Sequence, residues 1–329
     1  MVDLTLDLED KADFDAPFPE VVRSCEEELS RRGFPCRVNI VPGGVGLAPL
    51  RFSSYSPSFL KDIPVRELHF SDCDLPDLGL LAQLDLKGLS LTRCTFNGLE
   101  GLVGLPLKWI DLSHTSVQDL SPLADSPLER MKLLRTFVTD LLAVPDLPLV
   151  DLDLGFTAVS DLRSISRYSL NKLNLFKVPV EDLSPLRGSP IEDLNLSGTR
   201  VDSLRPLRGM SLKVLQLRGT AVSDLSTLKG MPLHTLRLSG SSVSDLSSLA
   251  GSVIEVLAIS GLSIEDLSPL REMPLRSLTV TAANLSPEQL DFVAGLRHLE
   301  HLGEAADPED QTPEDFLRRV HAGEYVSDQ

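Results

Sequence analysis

The side chains in this sequence that could do chemistry fall into a few spaced groups. Asp151 and Asp153 stand two apart, so on a strand both carboxylates project from one face, as a general acid and base would. His298 and His301 stand three apart, a spacing that suits a metal pair, but no nearby Cys or fixed carboxylate pattern completes a ligand set. The aspartates have a competing role: Lys132 and Lys172 lie one period to either side and are expected to form ion pairs with them. No GxSxG, HExxH or phosphate-cradling glycine loop occurs. These residues predict no enzyme, no metal and no cofactor.

The elements that would position such groups repeat. The stretch LKVLQLRGTAVSDLSTLKGMP from Leu212 is followed by LHTLRLSGSSVSDLSSLAGSV from Leu233. The first residue of the unit falls at Val65, Leu86, Leu107, Leu128, Leu149, Leu170, Ile191, Leu212, Leu233, Ile254 and Leu275, each step being 21 residues. The unit reads LxxLxLxxTxVxDLxxLxxxP. Its LxL piece alternates with period two and predicts a short strand with two apolar side chains inward. The ninth position carries Thr115, Thr136, Thr157, Thr199 and Thr220, whose hydroxyls are expected to bond turn backbone of neighbouring rungs. Cys73 and Cys94 take that slot in the first two units and are expected to stack as ladder residues about 4.8 Å apart. The DLSPL piece predicts a short 3₁₀ return, with Ser121, Ser184 and Ser268 as caps and Pro122, Pro185 and Pro269 in the first helical position.

A single unit cannot bury its leucines alone, so the fold is an α/β solenoid, a leucine-rich-repeat arc. A parallel β-sheet lines its concave face, short 3₁₀ or loop segments form its convex side, and both ends are capped. Residues 1–64 are expected to be an N-terminal cap, with a helix over Phe18–Arg32 (Val21, Val22, Cys25 and Leu29 inward) and a hairpin turning at Gly43-Gly44. Residues 65–285 are the repeats, and 286–329 a C-terminal cap. That cap has a capping box at Ser286 and Gln289, an acidic linker from Glu304 to Gln311 and a closing helix from Thr312-Pro313.

Composition narrows the partner. The net charge is −17, from 31 Lys+Arg against 48 Asp+Glu, which disfavours nucleic acid and anionic membranes. No run of about 18 apolar residues occurs, so no membrane span is predicted. The N-terminal sequence MVDLTLDLEDKADFDAPF lacks the basic and apolar regions of a secretory signal, and four cysteines make no disulfide framework. The expectation is a cytoplasmic protein.

The unit LSGTxVSDLSPLxGMP resembles bacterial leucine-rich repeats of the internalin-like type, one residue shorter than the usual internalin unit. Gly209-Met210, Gly230-Met231-Pro232 and Met273-Pro274, with Phe316 and Ala322-Gly323-Glu324-Tyr325, resemble a bacterial set whose LSPLKGMPL-type repeats close on DAGE(F/Y). Ser211 departs from that pattern, which has Pro, and His321 from its Asp. Repeat regions of this kind are found alone or fused to bacterial Ser/Thr kinases. No kinase motif is present, so the resemblance implies a binding module.

The period also places the outward residues. The units from Leu107 to Leu170 present Trp109, Asp111, His114, Arg130, Lys132, Leu134, Arg135, Asp151, Asp153, Phe156, Lys172, Phe176 and Lys177. Later units present Ser197, Gly198, Gly219, Ser239, Gly240, Ser260 and Gly261. Three strand steps of roughly 4.8 Å place Trp109 and Phe176 about 15 Å apart, within one patch. Aromatics and Arg on a rigid surface are the composition of a protein-binding hot spot. The expected binding residues are Trp109, Arg130, Lys132, Leu134, Asp151, Asp153, Phe156, Lys172 and Phe176. The expected function is a non-catalytic, monomeric protein-interaction module whose protein partner offers an acidic or mixed-charge segment. The alternative is a regulatory or sensor subunit of an enzyme complex whose catalytic chain is separate.

Overall fold

Each LxL segment forms a strand, and its inward pair of apolar side chains faces the equivalent pair of the next. The computed structural model describes residues 19–31, 36–42, 44–49, 60, 63–144, 147–304 and 312–323. Gly43, the side chains of Val21 and Cys25, the acidic run 305–311, and Glu324 and Tyr325 of the terminal signature lie outside the described residues. Two compact units divide the chain, Met1–Asp153 and Leu154–Gln329.

The first unit opens with helix α1 (Pro19–Arg31) and an antiparallel hairpin, β1 (Cys36–Val41) with β2 (Gly44–Pro49). The amide of Val38 donates to Glu26 Oε1 at 3.0 Å, tying hairpin to helix. Parallel strands follow: β3 (Val65–Ser71), β4 (Gly88–Thr92), β5 (Trp109–Asp111), β6 (Arg130–Lys132) and β7 (Asp151–Asp153). The register aligns the fourth position of every rung, from Leu68 through Leu89, Ile110 and Met131 to Leu152. In the rung from Leu107, the side chains of Leu107, Ile110, Leu112, Leu120 and Leu123 are all buried. Each contributes about 1.5–3 kcal/mol by burial.

The second unit repeats the design with β8 (Lys172–Asn174), β9 (Asp193–Asn195), β10 (Val214–Gln216), β11 (Thr235–Arg237), β12 (Val256–Ala258), β13 (Ser277–Val280) and β14 (His301–Glu304), all parallel. Helix α2 (Pro287–Ala294) carries the expected capping box, and Gln289 Nε2 also donates to the carbonyls of Ile264 and Glu265 in the rung before. Helix α3 (Pro313–His321) starts at Thr312, whose hydroxyl accepts from the Asp315 amide, and buries Phe316 completely.

Two local expectations are corrected. The returns are 3₁₀ segments, such as Ser121–Leu123 and Ser184–Leu186, but Ser does not cap them. Ser121 lies inside the segment. Asp119, two residues earlier, accepts its amide at 2.8 Å and its hydroxyl at 2.9 Å. Asp182, Asp245 and Asp266 do the same for Ser184, Ser247 and Ser268. A carboxylate brings two oxygens, so Oδ1 takes the amide while Oδ2 takes the hydroxyl; a serine has a single oxygen to offer. The threonines of position nine, in turn, donate to their own rung. Thr115, Thr157 and Thr199 reach the carbonyls three residues back at 2.6, 2.7 and 2.6 Å, because a short hydroxyl stem does not span to the neighbouring turn.

The rung from Leu128 differs from its neighbours. It has no 3₁₀ segment among its described residues, and Phe137 and Leu142 are 61% and 65% exposed there.

Candidate protein-binding face

In the first unit the open face of the sheet is organised around Trp109. Its indole Nε1 donates to Glu67 Oε1 at 3.1 Å, reaching from β5 across β4 to β3. The His69 ring lies 5.2 Å from the indole at an interplanar angle of 37°, and His69 Nε2 is 3.5 Å from Glu67 Oε2. What lets the indole cross β4 is Gly88: a Cβ there would stand 2.1 Å from Trp109. The ring is therefore half-buried and fixed from two sides. A hollow of about 410 Å³ opens beside it, lined by Glu67, His69, Ser90, Trp109, Asp111, Arg130 and Lys132.

Around this hollow the charged groups are unequally engaged. Glu67 is held by Trp109 and His69, and Asp111 Oδ1 accepts the Ser113 amide at 3.0 Å. Asp151 and Asp153 are half-buried and make contacts of their own. Arg130 and Lys132 are exposed, and neither side chain forms a hydrogen bond or ion pair among the described residues. The expected ion pair of Lys132 with the aspartates is thus corrected. The register sets Lys132 directly beside Asp153, but its flexible stem holds the ammonium in solvent. Leu134 is half-buried at the strand exit.

In the second unit Lys172 bonds forward, to Asp193 Oδ2 at 3.0 Å, its register partner on β9. Phe156 and Phe176 pack edge to face at 5.1 Å and 83°, the preferred aromatic geometry. Lys177 Nζ lies 5.1 Å from the Phe156 centroid and 5.6 Å from that of Phe176, covering both rings as a cation over π faces. Asn174 Oδ1 accepts the Phe176 amide at 3.0 Å and sets the strand exit. The sequence-predicted residues therefore form two clusters, each within its own compact unit: Trp109 with Arg130 and Lys132, and Phe156 with Phe176 and Lys177.

The eighth position, just past each strand, is left-handed in the rungs from Val65 to Ile254. Asp72, Arg93, His114 and Arg135 have φ of 56°, 56°, 61° and 55° in the first unit. In the second unit Phe156 and Lys177 have 56° and 55°, and then glycine takes over at Gly198, Gly219, Gly240 and Gly261. An L residue in this region costs about 1–2 kcal/mol that glycine avoids. Asp72 and Arg93 spend their side chains on each other, Nε to Oδ1 at 2.6 Å and Nη2 to Oδ2 at 2.7 Å. That ion pair holds the Asp72 carboxyl below its ordinary value.

The remaining reactive candidates are quiet. Cys94 is buried and Cys73 half-buried, their thiols lying 3.7 and 3.1 Å from the carbonyls of Thr92 and Ser71. Burial pushes the Cys73 thiol up and that of Cys94 up to about 11, so both hold their protons at neutral pH. His298 lines a hollow of about 610 Å³ with Arg271, Phe292 and Arg297, while His301 sits on β14 with Nδ1 buried and unbonded. Among the described residues no three metal-ligating side chains converge, and no helix is long and apolar enough to cross a membrane.

The fold is that of leucine-rich-repeat proteins. An internalin (inlF) from Listeria monocytogenes superimposes with a TM-score of 0.64 at 20% identity, over 86% of this chain and 86% of that one. The leucine-rich-repeat domain of APL1B gives 0.50 at 16% identity, over 82% and 87%. No family model matches the chain, and no curated protein does.

Proposed function

We propose that this chain is a non-catalytic interaction module that binds a protein partner through the open, concave face of its repeats. One observation carries the reading: position eight holds His114, Arg135, Phe156 and Lys177 in the rungs from Leu107 to Leu170 but glycine at Gly198, Gly219, Gly240 and Gly261, and the strands of those earlier rungs carry Trp109, Arg130, Lys132 and Lys172. They stand on hydrogen-bonded strands whose cores are closed, so the surface is ordered before a partner arrives and loses little entropy on binding. Trp109, Arg130, Lys132, Leu134, Asp151 and Asp153 form one contribution, and Phe156, Lys172 and Phe176 the other. Residues 1–64 and 286–329 serve as caps to the repeats 65–285. The protein works in the cytoplasm as a monomer.

The test is affinity capture from the native cell lysate with the wild-type chain and two variants, Arg130→Ala/Lys132→Ala and Phe176→Ala. Arg130 and Lys132 are exposed, so removing them leaves thermal stability within about 0.5 kcal/mol. A protein retained by the wild type and lost by the first variant supports the reading. Equal capture by all three chains refutes it and moves the interface off this face.

A further inference from the structure

Resting on that reading, we propose that the face around Trp109 recognises an extended acidic segment of a protein partner, with two carboxylates placed two residues apart.

The charge pattern comes first. Every carboxylate lining the hollow is already accepting from the protein itself, Glu67 from Trp109 and Asp111 from Ser113. The donors are not engaged: the guanidinium of Arg130 and the ammonium of Lys132 are exposed and unpaired among the described residues. The groups on offer are therefore cationic donors, although the whole chain is acidic at −17. Their complement is a carboxylate, and a guanidinium takes one in bidentate fashion.

Spacing comes second. Arg130 and Lys132 are alternate residues of β6, so both leave the same face, about 7 Å apart along the strand. Alternate side chains of an extended peptide have that same repeat. A segment lying along β6 puts carboxylates i and i+2 on Lys132 and Arg130. Its flank then faces the hollow, where Trp109, register partner of Arg130, offers an aromatic wall to an apolar side chain.

The third observation is strain. At the exits of β5 and β6, His114 and Arg135 keep side chains in left-handed backbone where later rungs use glycine. Such strain persists where the side chain does something the fold alone does not need. Arg135 makes a contact within the protein, whereas His114, exposed at the exit of β5, borders the proposed track.

Trp109 is the only tryptophan in the chain, so its emission reports this site directly. The experiment titrates the full chain with three peptides of equal length: one carrying Glu-Leu-Glu, its Gln-Leu-Gln analogue and its Lys-Leu-Lys analogue. The acidic peptide is expected to shift Trp109 emission, with affinity that falls as salt rises. The Gln analogue should bind at least tenfold more weakly, and the Lys analogue should leave emission unchanged. The Arg130→Gln/Lys132→Gln chain should lose about tenfold for the acidic peptide while its urea midpoint stays put.

If the Gln analogue binds as tightly as the acidic one, the carboxylate inference falls and the interaction face survives. Binding of the acidic peptide that ignores the double variant overturns the assignment to β6. Failure of all three peptides overturns the inference, and the capture experiment then decides separately whether the face binds protein. Sedimentation at several concentrations adds the last arm. A dimer abolished by the double variant would place a second copy of this acidic chain on the face and overturn the separate partner.

Discussion

Replacing His114 and Phe156 separately by glycine should move stability in opposite directions. Both stand at position eight, with φ of 61° and 56°. At either site glycine relieves about 1–2 kcal/mol of left-handed strain and returns about 0.5–1 kcal/mol through the entropy of its unfolded chain. The net backbone gain is about 0.5–1 kcal/mol. His114 is exposed and its side chain makes no hydrogen bond, ion pair or ring contact among the described residues, so His114→Gly keeps that gain. Phe156 is half-buried against Phe176 at 5.1 Å, under the Lys177 ammonium. Its removal costs about half of a full aromatic burial, roughly 1 kcal/mol, and the ring pair adds about 0.5–1.5 kcal/mol. Phe156→Gly should therefore be destabilised by about 1 kcal/mol net. Urea denaturation followed by far-ultraviolet circular dichroism measures both, compared at constant slope against denaturant. A destabilised His114→Gly, or a stabilised Phe156→Gly, would refute the claim that strain and side-chain contact are traded at this position.

Three further outcomes follow from single contacts. Gly88→Ala drives a methyl group into the indole, so Trp109 must leave Glu67; its emission should shift to the red, with a stability loss of about 1–3 kcal/mol, and an unchanged spectrum would contradict the geometry. The Asp182 and Asp266 carboxyls lie below their ordinary value because the hydroxyls and then the amides of Ser184 and Ser268 bond them, while for Asp119 the Ser121 amide leads. A lowered folded value means their stabilisation is full above about pH 4, the unfolded value, and is lost as pH falls through the folded one; the Asp119→Asn/Asp182→Asn/Asp266→Asn chain should show a flatter stability profile between pH 4 and 2 on denaturant titration. Cys94, with its thiol pushed up to about 11 by burial, should resist iodoacetamide at pH 8 in the folded chain and react on unfolding; fast native alkylation would overturn the burial argument.

The repeat was legible in the sequence because each rung poses the same packing problem. Positions one, four and six point inward in every unit, so leucine recurs with a period of 21 and the strands can be placed to the residue. The capping box of α2 was equally legible, since Ser286 and Gln289 act within one turn. Polar contacts inside the turns were not. Asp119 and Ser121 are both competent partners for a 3₁₀ start, and composition does not say which accepts. Lys172 has acidic residues on either side, and the bond to Asp193 at 3.0 Å is one that the linear pattern alone does not single out.

Trp109 shows why a site is harder to read than a fold. Its outward direction follows from the period, but its neighbours Glu67 and His69 stand about two rungs away, and nothing in a linear pattern joins them. The usable signal was an omission: Gly88 leaves the third position bare in the rung directly before the one that carries tryptophan there. A large residue beside a missing one means that the large side chain lies down across the gap, and its ring then reaches the next strand. The same logic reads the eighth position in reverse. Glycine at Gly198, Gly219, Gly240 and Gly261 is what the backbone asks for, so the rungs that refuse it are those where side chains were kept against the cost of the turn. Asp72 and Arg93 account for that cost with an ion pair, and Phe156 and Lys177 with a covered aromatic cluster. His114 has no such contact of its own, which is why the binding face is sought at its side.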